Sequence, residues 1–228
     1  MISSATDAYQ PAELKYGLTR KCIQVLQKYG VPYCVFTKSI IIERDLDLHS
    51  SYSDNCCIAW SITTCNEKVR RVIEPGTPPA DRIFDVIKKF VDRGVRCVVN
   101  INPVVPLVTD SPEEIDTIVE KSQRANVQYA FAAVMRLRQD IWERIKTVLE
   151  ILGVPDGVEL YSQIFGFVEP ISANYVPADR KYSKQVLEMI EQKMSNAGIA
   201  FEFPEMPSRQ ITRQLGDGVM KQTCLTDY

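Results

Sequence analysis

The chain has 228 residues and a mass of 25.9 kDa, 45% of them apolar and 25% charged, enough to bury a sizeable core in one domain or two. Its 27 Lys and Arg stand against 29 Asp and Glu, a net charge of -2, which excludes a polycation held to nucleic acid by bulk charge but leaves room for a local basic groove. No apolar run approaches the roughly 18 residues of a membrane span, and the opening MISSATDAYQ has neither the basic nor the apolar stretch of a secretion signal, so a soluble cytoplasmic protein with no membrane partner is expected.

In chain order, a loop-like segment (ATDAYQP) leads into a helix expected over 12–29. Its stripe is Leu18, Cys22, Val25, Leu26 and Tyr29, and Gly30 can end it. YCVFT (33–37) reads as a buried strand. CCIAWSI (56–62) reads as a second, after the polar stretch DLDLHSSYSDN. The rigid Glu74-Pro75-Gly76-Thr77-Pro78-Pro79 precedes a helix over 81–93 carrying Ile83, Ile87, Phe90 and Val91. VRCVVNI (95–101) is a third strand. Ser111-Pro112-Glu113-Glu114 combines an N-cap, a first-turn proline and a capping-box Glu, the clearest helix start in the chain. VQYAFAAV (127–134) is a fourth strand, helices are expected over 140–152 and 179–197, and IAFEFPEMP (199–207) reads as one late strand. Short strands that are apolar on both faces, alternating with helices, predict an α/β fold: right-handed βαβ units building a parallel sheet or partial (β/α) barrel. The expected organisation is a core over 1–152 and a C-terminal extension over 153–228.

Seven cysteines lie at 22, 34, 56, 57, 65, 97 and 224, none spaced C-x-x-C. Those in YCVF, CCIAW and RCVVNI are expected to act as small core hydrophobes. A single His49 leaves no Cys/His zinc set and no Ser-His-Asp arrangement.

In parallel α/β sheets ligands bind beyond the C-terminal strand ends. Here every end delivers polar groups: Thr6 and Asp7 in the opening loop, Lys38 after the first strand, Ser61 and Thr63 after the second, Asn102 after the third, and Arg136 and Arg138 after the fourth. Lys38 and Arg136 can neutralise a carboxylate or phosphate, Asp7 can accept from an ammonium, and Ser61, Thr63 and Asn102 suit ribose hydroxyls or a base edge. With neither GxGxxG nor GxxxxGK[ST] present, a zwitterionic, nucleoside-like ligand is favoured over a phosphate-anchored nucleotide. Arg71 is a candidate partner of Glu74 or of a ligand.

The ordered strings ATDAYQPAE, LTRKCIQVLQKYG, VFTKS, WSITT, RRVIEPGTPPADRI and GVRCVVNINPVVPLVTD resemble the radical S-adenosylmethionine (SAM) proteins related to spore photoproduct lyase, often labelled DNA repair photolyases. The resemblance runs from about Ser3 to Arg138, and more weakly beyond. It implies a partial or full (β/α) barrel in which a CxxxCxxC loop holds a [4Fe–4S] cluster. One electron from a donor then cleaves SAM to a 5′-deoxyadenosyl radical. It also implies SAM contacts for Thr6, Lys38 and Ser61, with Asp7, Asn102 and Arg136 as further candidates, and nucleic acid as a partner. This chain has no CxxxCxxC. The expectation is therefore a SAM-binding portion whose cluster segment, with two βα units of roughly 60 residues, lies upstream. The hydrogen-donor Cys of true spore photoproduct lyases falls at about Ser4, which speaks against repair of the spore photoproduct itself. The alternatives are a non-catalytic module with a SAM-like pocket, an inactive fragment, or an unrelated (β/α) enzyme.

Overall fold

Four apolar, β-branched runs become the strands of one parallel sheet: β1 (Tyr33–Thr37), β2 (Cys56–Ser61), β3 (Arg96–Val104) and β4 (Tyr129–Val134), lying side by side in chain order. The computed structural model describes residues 1–3, 6–171 and 175–207. The registers pair Tyr33 with Cys56, Ser61 with Asn100 and Asn100 with Phe131, and the β3–β4 register shifts between Ile101 and Val104. Both sheet edges are capped by single bridges. Ile2 pairs with Val35 outside β1, and Ala200 pairs with Tyr129 outside β4, which limits edge-to-edge pairing.

Successive side chains alternate between the two faces. Tyr33, Val35, Ile58, Trp60, Val99 and Ile101 enter the main core together with the buried sides of α5 (Ala80–Asp92), α6 (Pro112–Arg124) and α9 (Arg180–Asn196). The opposite face carries Cys57, Ala59 and Val98, with Cys34, Phe36, Tyr129, Phe203 and Met206 against them. A second aromatic core gathers Trp142 and Leu149 of α7 (Gln139–Leu152), Tyr161 and Phe165 of α8 (Gly157–Phe165), and Val105 and Leu137. Within it β5 (Arg136–Leu137) pairs antiparallel with β6 (Val176–Pro177). The expected Ser111 cap forms, its Oγ accepting from Glu114 N at the start of α6, but the Glu114 carboxylate accepts from Thr64 Oγ1 and Cys65 N instead of closing a capping box; at the start of α9 Asp179 accepts from Lys181 N and Tyr182 N. The short α4 (Glu67–Ile73), which the apolar pattern does not show, is capped by Asn66. Among the described residues no helix is long and apolar enough to cross a membrane.

Two elements differ from expectation. The segment over 12–29 is two helices, α1 (Pro11–Tyr16) and α2 (Leu18–Lys28). Gly17 sits between them at φ 59, a left-handed conformation that ends α1. The Glu13 carboxylate turns back to accept from Thr19 N and Arg20 N, capping α2. The break resets the helical phase, so Ile23 is buried while Leu18, Cys22, Val25 and Tyr29 face outward. The late strand is reduced to one bridge at Ala200, because Pro204 has no N–H to donate. Instead Phe201 and Phe203 pack on Phe131, and Phe203 also on Phe36, carrying the segment across the helix-free face.

The polar stretch between β1 and β2 also folds unexpectedly. It forms α3 (Leu46–Ser50) and buries His49 completely. Its hydrogen bonds run in one consistent direction. Gln27 Nε2 donates to Tyr33 Oη (2.9 Å), Tyr33 O–H to His49 Nδ1 (3.1 Å), His49 Nε2–H to Tyr9 Oη (3.1 Å), and Tyr9 O–H to Asp45 Oδ2 (3.1 Å). Arg20 and Arg44 complete the chain at Asp45 Oδ1. A neutral imidazole satisfies every member. Burial holds it neutral, pushing its pKa down to about 4.

This burial makes stability depend on pH. The unfolded imidazole titrates near about 6.5, so between that pH and about 4 the unfolded chain binds a proton the folded chain does not. The contribution is complete above the upper value and is lost as pH falls, roughly 3 kcal/mol in all. The gap in unfolding free energy between wild type and His49→Gln should therefore shrink by roughly 2–3 kcal/mol from pH 7 to 4.5 in denaturant titrations. A gap independent of pH would disprove the neutral, buried imidazole.

The outward side of α1 and α2 exposes Leu14, Tyr16, Leu18, Val25 and Tyr29, each more than half accessible. Clustered apolar groups of this kind promote association. Sedimentation should detect concentration-dependent self-association, and Leu18→Lys with Val25→Lys should reduce it without lowering the Tm by more than a few degrees. Association indifferent to both changes would place the contact elsewhere.

Candidate functional site

The C-terminal ends of β1, β2 and β3 form one polar rim, and the opening loop is pinned to it by Asp7. Asp7 Oδ1 accepts from Tyr9 N (2.8 Å) and Thr37 Oγ1 (2.9 Å), and Oδ2 accepts from Lys38 N (2.7 Å). Both carboxylate oxygens thus hold the backbone in place, fixing where the Lys38 side chain begins. Exposed Thr6 adjoins this anchor.

Lys38 Nζ meets Glu74 Oε1 at 2.6 Å and Thr63 Oγ1 at 2.7 Å, while Thr63 Oγ1 donates to the same carboxylate oxygen at 2.8 Å. The Lys38 and Glu74 side chains keep 28% and 22% of their surface accessible. Such a pair is worth little to stability but remains open to a ligand. An ammonium carries three N–H groups and a carboxylate two oxygens, so one Lys38 donor and Glu74 Oε2 are left over. Opposite charges with free outer atoms suit a zwitterion.

Glu74 reaches the rim on a stiff arm. It ends α4, and Thr77 N and Oγ1 both donate to its carbonyl. Arg70 bonds Thr77 O at 2.5 Å and grips Glu67 through two nitrogens. With Pro75, Pro78 and Pro79 this leaves the loop few alternatives. Arg71 pairs with Glu67 at 3.0 Å, so the partner of Glu74 is Lys38 and not Arg71. Behind the pair, a cavity of about 10 Å³ lined by Lys38, Ser61, Thr63 and Glu74 has room for about one water.

On the next strands, Ser61 Oγ accepts from Asn100 Nδ2 at 3.2 Å. Its own hydroxyl hydrogen is free to donate. Asn102 stands exposed at the end of the same face. Arg136 is exposed in the β5–β6 ladder, beyond the end of β4, and Arg138 is paired with Asp140. The structure therefore gathers Asp7, Lys38 and Ser61, places Asn102 at the margin, and puts Arg136 in the second ladder. Sequence reasoning missed Glu74 as the partner of Lys38. The proline-rich rigidity around it was the available signal.

The described cysteines are dispersed over both faces of the sheet and its surroundings. Cys56 and Cys97 lie in the helix-side core, and Cys34 and Cys57 are register partners on the opposite face. Among the described residues no three His, Cys, Asp or Glu converge on a point that could hold a metal ion. These residues do not fit a [4Fe–4S] cluster. Ser4 and Cys224 lie outside the described residues.

No protein-family model matches the chain. It is 28% identical over 162 residues to an uncharacterized protein of Acidianus two-tailed virus, covering 66% of this chain and 53% of that protein. It is 31% identical over 120 residues to an uncharacterized protein of Mycobacterium tuberculosis, covering 52% of this chain and 35% of that protein. The chain thus spans between a third and about half of these relatives' length. Among solved structures, spore photoproduct lyase with dinucleoside spore photoproduct superposes with a TM-score of 0.65 at 12% identity, over 88% of this chain and 60% of that one. A form with bound AdoMet and the same dinucleoside gives 0.61 over 82% of this chain and 56% of that one, also at 12% identity. The chain shares the α/β fold of spore photoproduct lyase, and its polar rim lies at the C-terminal ends of the parallel strands.

Proposed function

We propose that the chain is the SAM-holding part of a radical SAM enzyme similar to spore photoproduct lyase. The observation that carries the reading is the Lys38–Glu74 pair, with its unused donor and acceptor, one strand away from the free hydroxyl of Ser61. Lys38 would take the SAM carboxylate and Glu74 the ammonium, while Asp7, whose oxygens accept from Tyr9 N, Thr37 Oγ1 and Lys38 N, would hold the opening loop against the rim. Ser61 and Asn102 would face the nucleoside. The fold shared with an AdoMet-bound protein supports SAM as the ligand in this reading. In this reading the cluster is held by residues other than those described, and no electron-transfer step is assigned to this chain.

Titration calorimetry with SAM, run beside thermal melts, tests the assignment. Lys38→Ala removes a charge-assisted bond of about 1.5–3 kcal/mol and should weaken SAM roughly 10- to 150-fold. Ser61→Ala removes a neutral bond of about 1 kcal/mol and should cost roughly fivefold. Lys38→Ala should melt near wild type, because the partly exposed side chain stands at a strand end, whereas Ser61→Ala, which also strips the buried Asn100 amide of its partner, should melt a few degrees lower without unfolding. SAM affinity unchanged in Lys38→Ala would sink the site, and a collapsed melt would make the residue structural.

A further inference from the structure

Cys34 and Cys57 are register partners in the adjacent strands β1 and β2, with both side chains on the helix-free face and both thiols free. Neighbouring strands lie about 4.8 Å apart. Two metal–thiolate bonds of about 2.3 Å let one ion join sulfurs at that spacing, whereas a disulfide asks for Cβ atoms about 3.8 Å apart. Cys57 is sealed and Cys34 half-buried. The Cys57 thiol donates to the Cys34 sulfur, and this bond lowers the Cys34 pKa against the opposing effect of burial. A third sulfur comes from the C-terminal segment, where Met206 packs on the same cluster as Cys34. Arg96, the β3 register partner of Cys57, continues the row Cys34, Cys57, Arg96 across three strands. Its Nη1 donates to Glu205 O at 2.9 Å and its Nη2 to Asp54 O. The residue next to Met206 is therefore tied to the row that carries the thiols.

We infer that Cys34, Cys57 and Met206 form a binding site for a soft monovalent metal ion, Cu(I). The site does not depend on the SAM-holding reading. Two thiols and a thioether are the donors that such an ion selects, and the cluster around them contains no imidazole or carboxylate. Zn(II), which takes four ligands in a closed site, would find three. Charge points the same way. Binding Cu(I) releases both thiol protons and leaves two thiolates and one copper ion, a single net negative charge. Unbalanced charge is costly in apolar surroundings, and the Arg96 guanidinium in the same row offsets it. Packing alone asks for none of this, since Ala59 and Val98 fill the same face without sulfur. Half-buried Cys34 is the point of entry, and the flexible Met206 side chain can close over the ion.

Competition for Cu(I) against the chelator bicinchoninate, in reducing and oxygen-free buffer, tests this on the 228-residue chain. Wild type should hold a copper ion that Cys34→Ser and Cys57→Ala each lose. Cys22→Ser removes an exposed thiol outside the cluster and should leave that ion in place. Met206→Leu keeps the bulk of the side chain and should weaken copper by at least the roughly tenfold that even an outer-shell partner of a metal is worth. X-ray absorption at the copper edge should count three sulfur neighbours in wild type and two in Met206→Leu, a readout that does not need the cysteine variants to fold. Copper held equally by wild type and either cysteine variant overturns the site. So does a wild-type copper shell containing nitrogen or oxygen, or a sulfur count that Met206→Leu leaves unchanged.

Discussion

Successive parallel strands are neighbours in the sheet, the arrangement in which right-handed crossovers, the rule for such connections, gather helices on one face. That constraint divides the labour of the whole molecule. The helix side takes the large groups, Trp60, Val99, Ile101 and Phe90 among them. The other face carries the small residues Cys57 and Ala59 low on the strands and polar ones, Ser61 and Asn100, near their ends. Phe203 and Met206 cover the lower part of that face, leaving the polar end as the place where a ligand can enter. In a doubly wound sheet helices would cover both faces and the same residues would be packed away.

Tyr9 of the opening loop links two carboxylates that do different work. Asp45 is fully buried and answered by Arg20, Arg44 and Tyr9, so it anchors the chain of bonds through His49 to Gln27. Asp7 closes a turn and fastens it to Thr37 and Lys38. Tyr9 belongs to the first network and its backbone N–H to the second. The core around His49 and the backbone of Lys38 are therefore joined through Tyr9 and Asp7.

The strands and most helices were legible because their signals are local: β-branched runs, the Ser111 cap, Gly94 after α5. What failed was non-local. Nothing in the amphipathic stripe around Leu18 shows that Gly17 adopts a left-handed turn and rotates Ile23 inward. The stretch around His49 reads as polar because its partners, Tyr9 and Tyr33, lie 40 and 16 residues away. IAFEFPEMP has the alternation of a strand, but its phenylalanines find better partners on the sheet face than its backbone finds at the edge. Lys38 and Ser61 could be chosen from strand ends alone. Glu74 could not be paired with Lys38 from sequence, since the pairing requires α4 and the position of the loop after it.

The polar groups of this protein fall into two kinds, and the difference separates fold from function. The His49 network is closed: each donor has an acceptor, in one proton order, and the low dielectric around it rewards completeness. At the rim the sets stay open. Lys38 keeps a donor, Glu74 an acceptor and Ser61 a hydrogen, and these lie on two adjacent strand ends and the arm above them. An unfinished network scattered over a surface would be ordinary hydration. Concentrated at one end of the sheet, its leftover donors and acceptors set this rim apart from the closed network around His49.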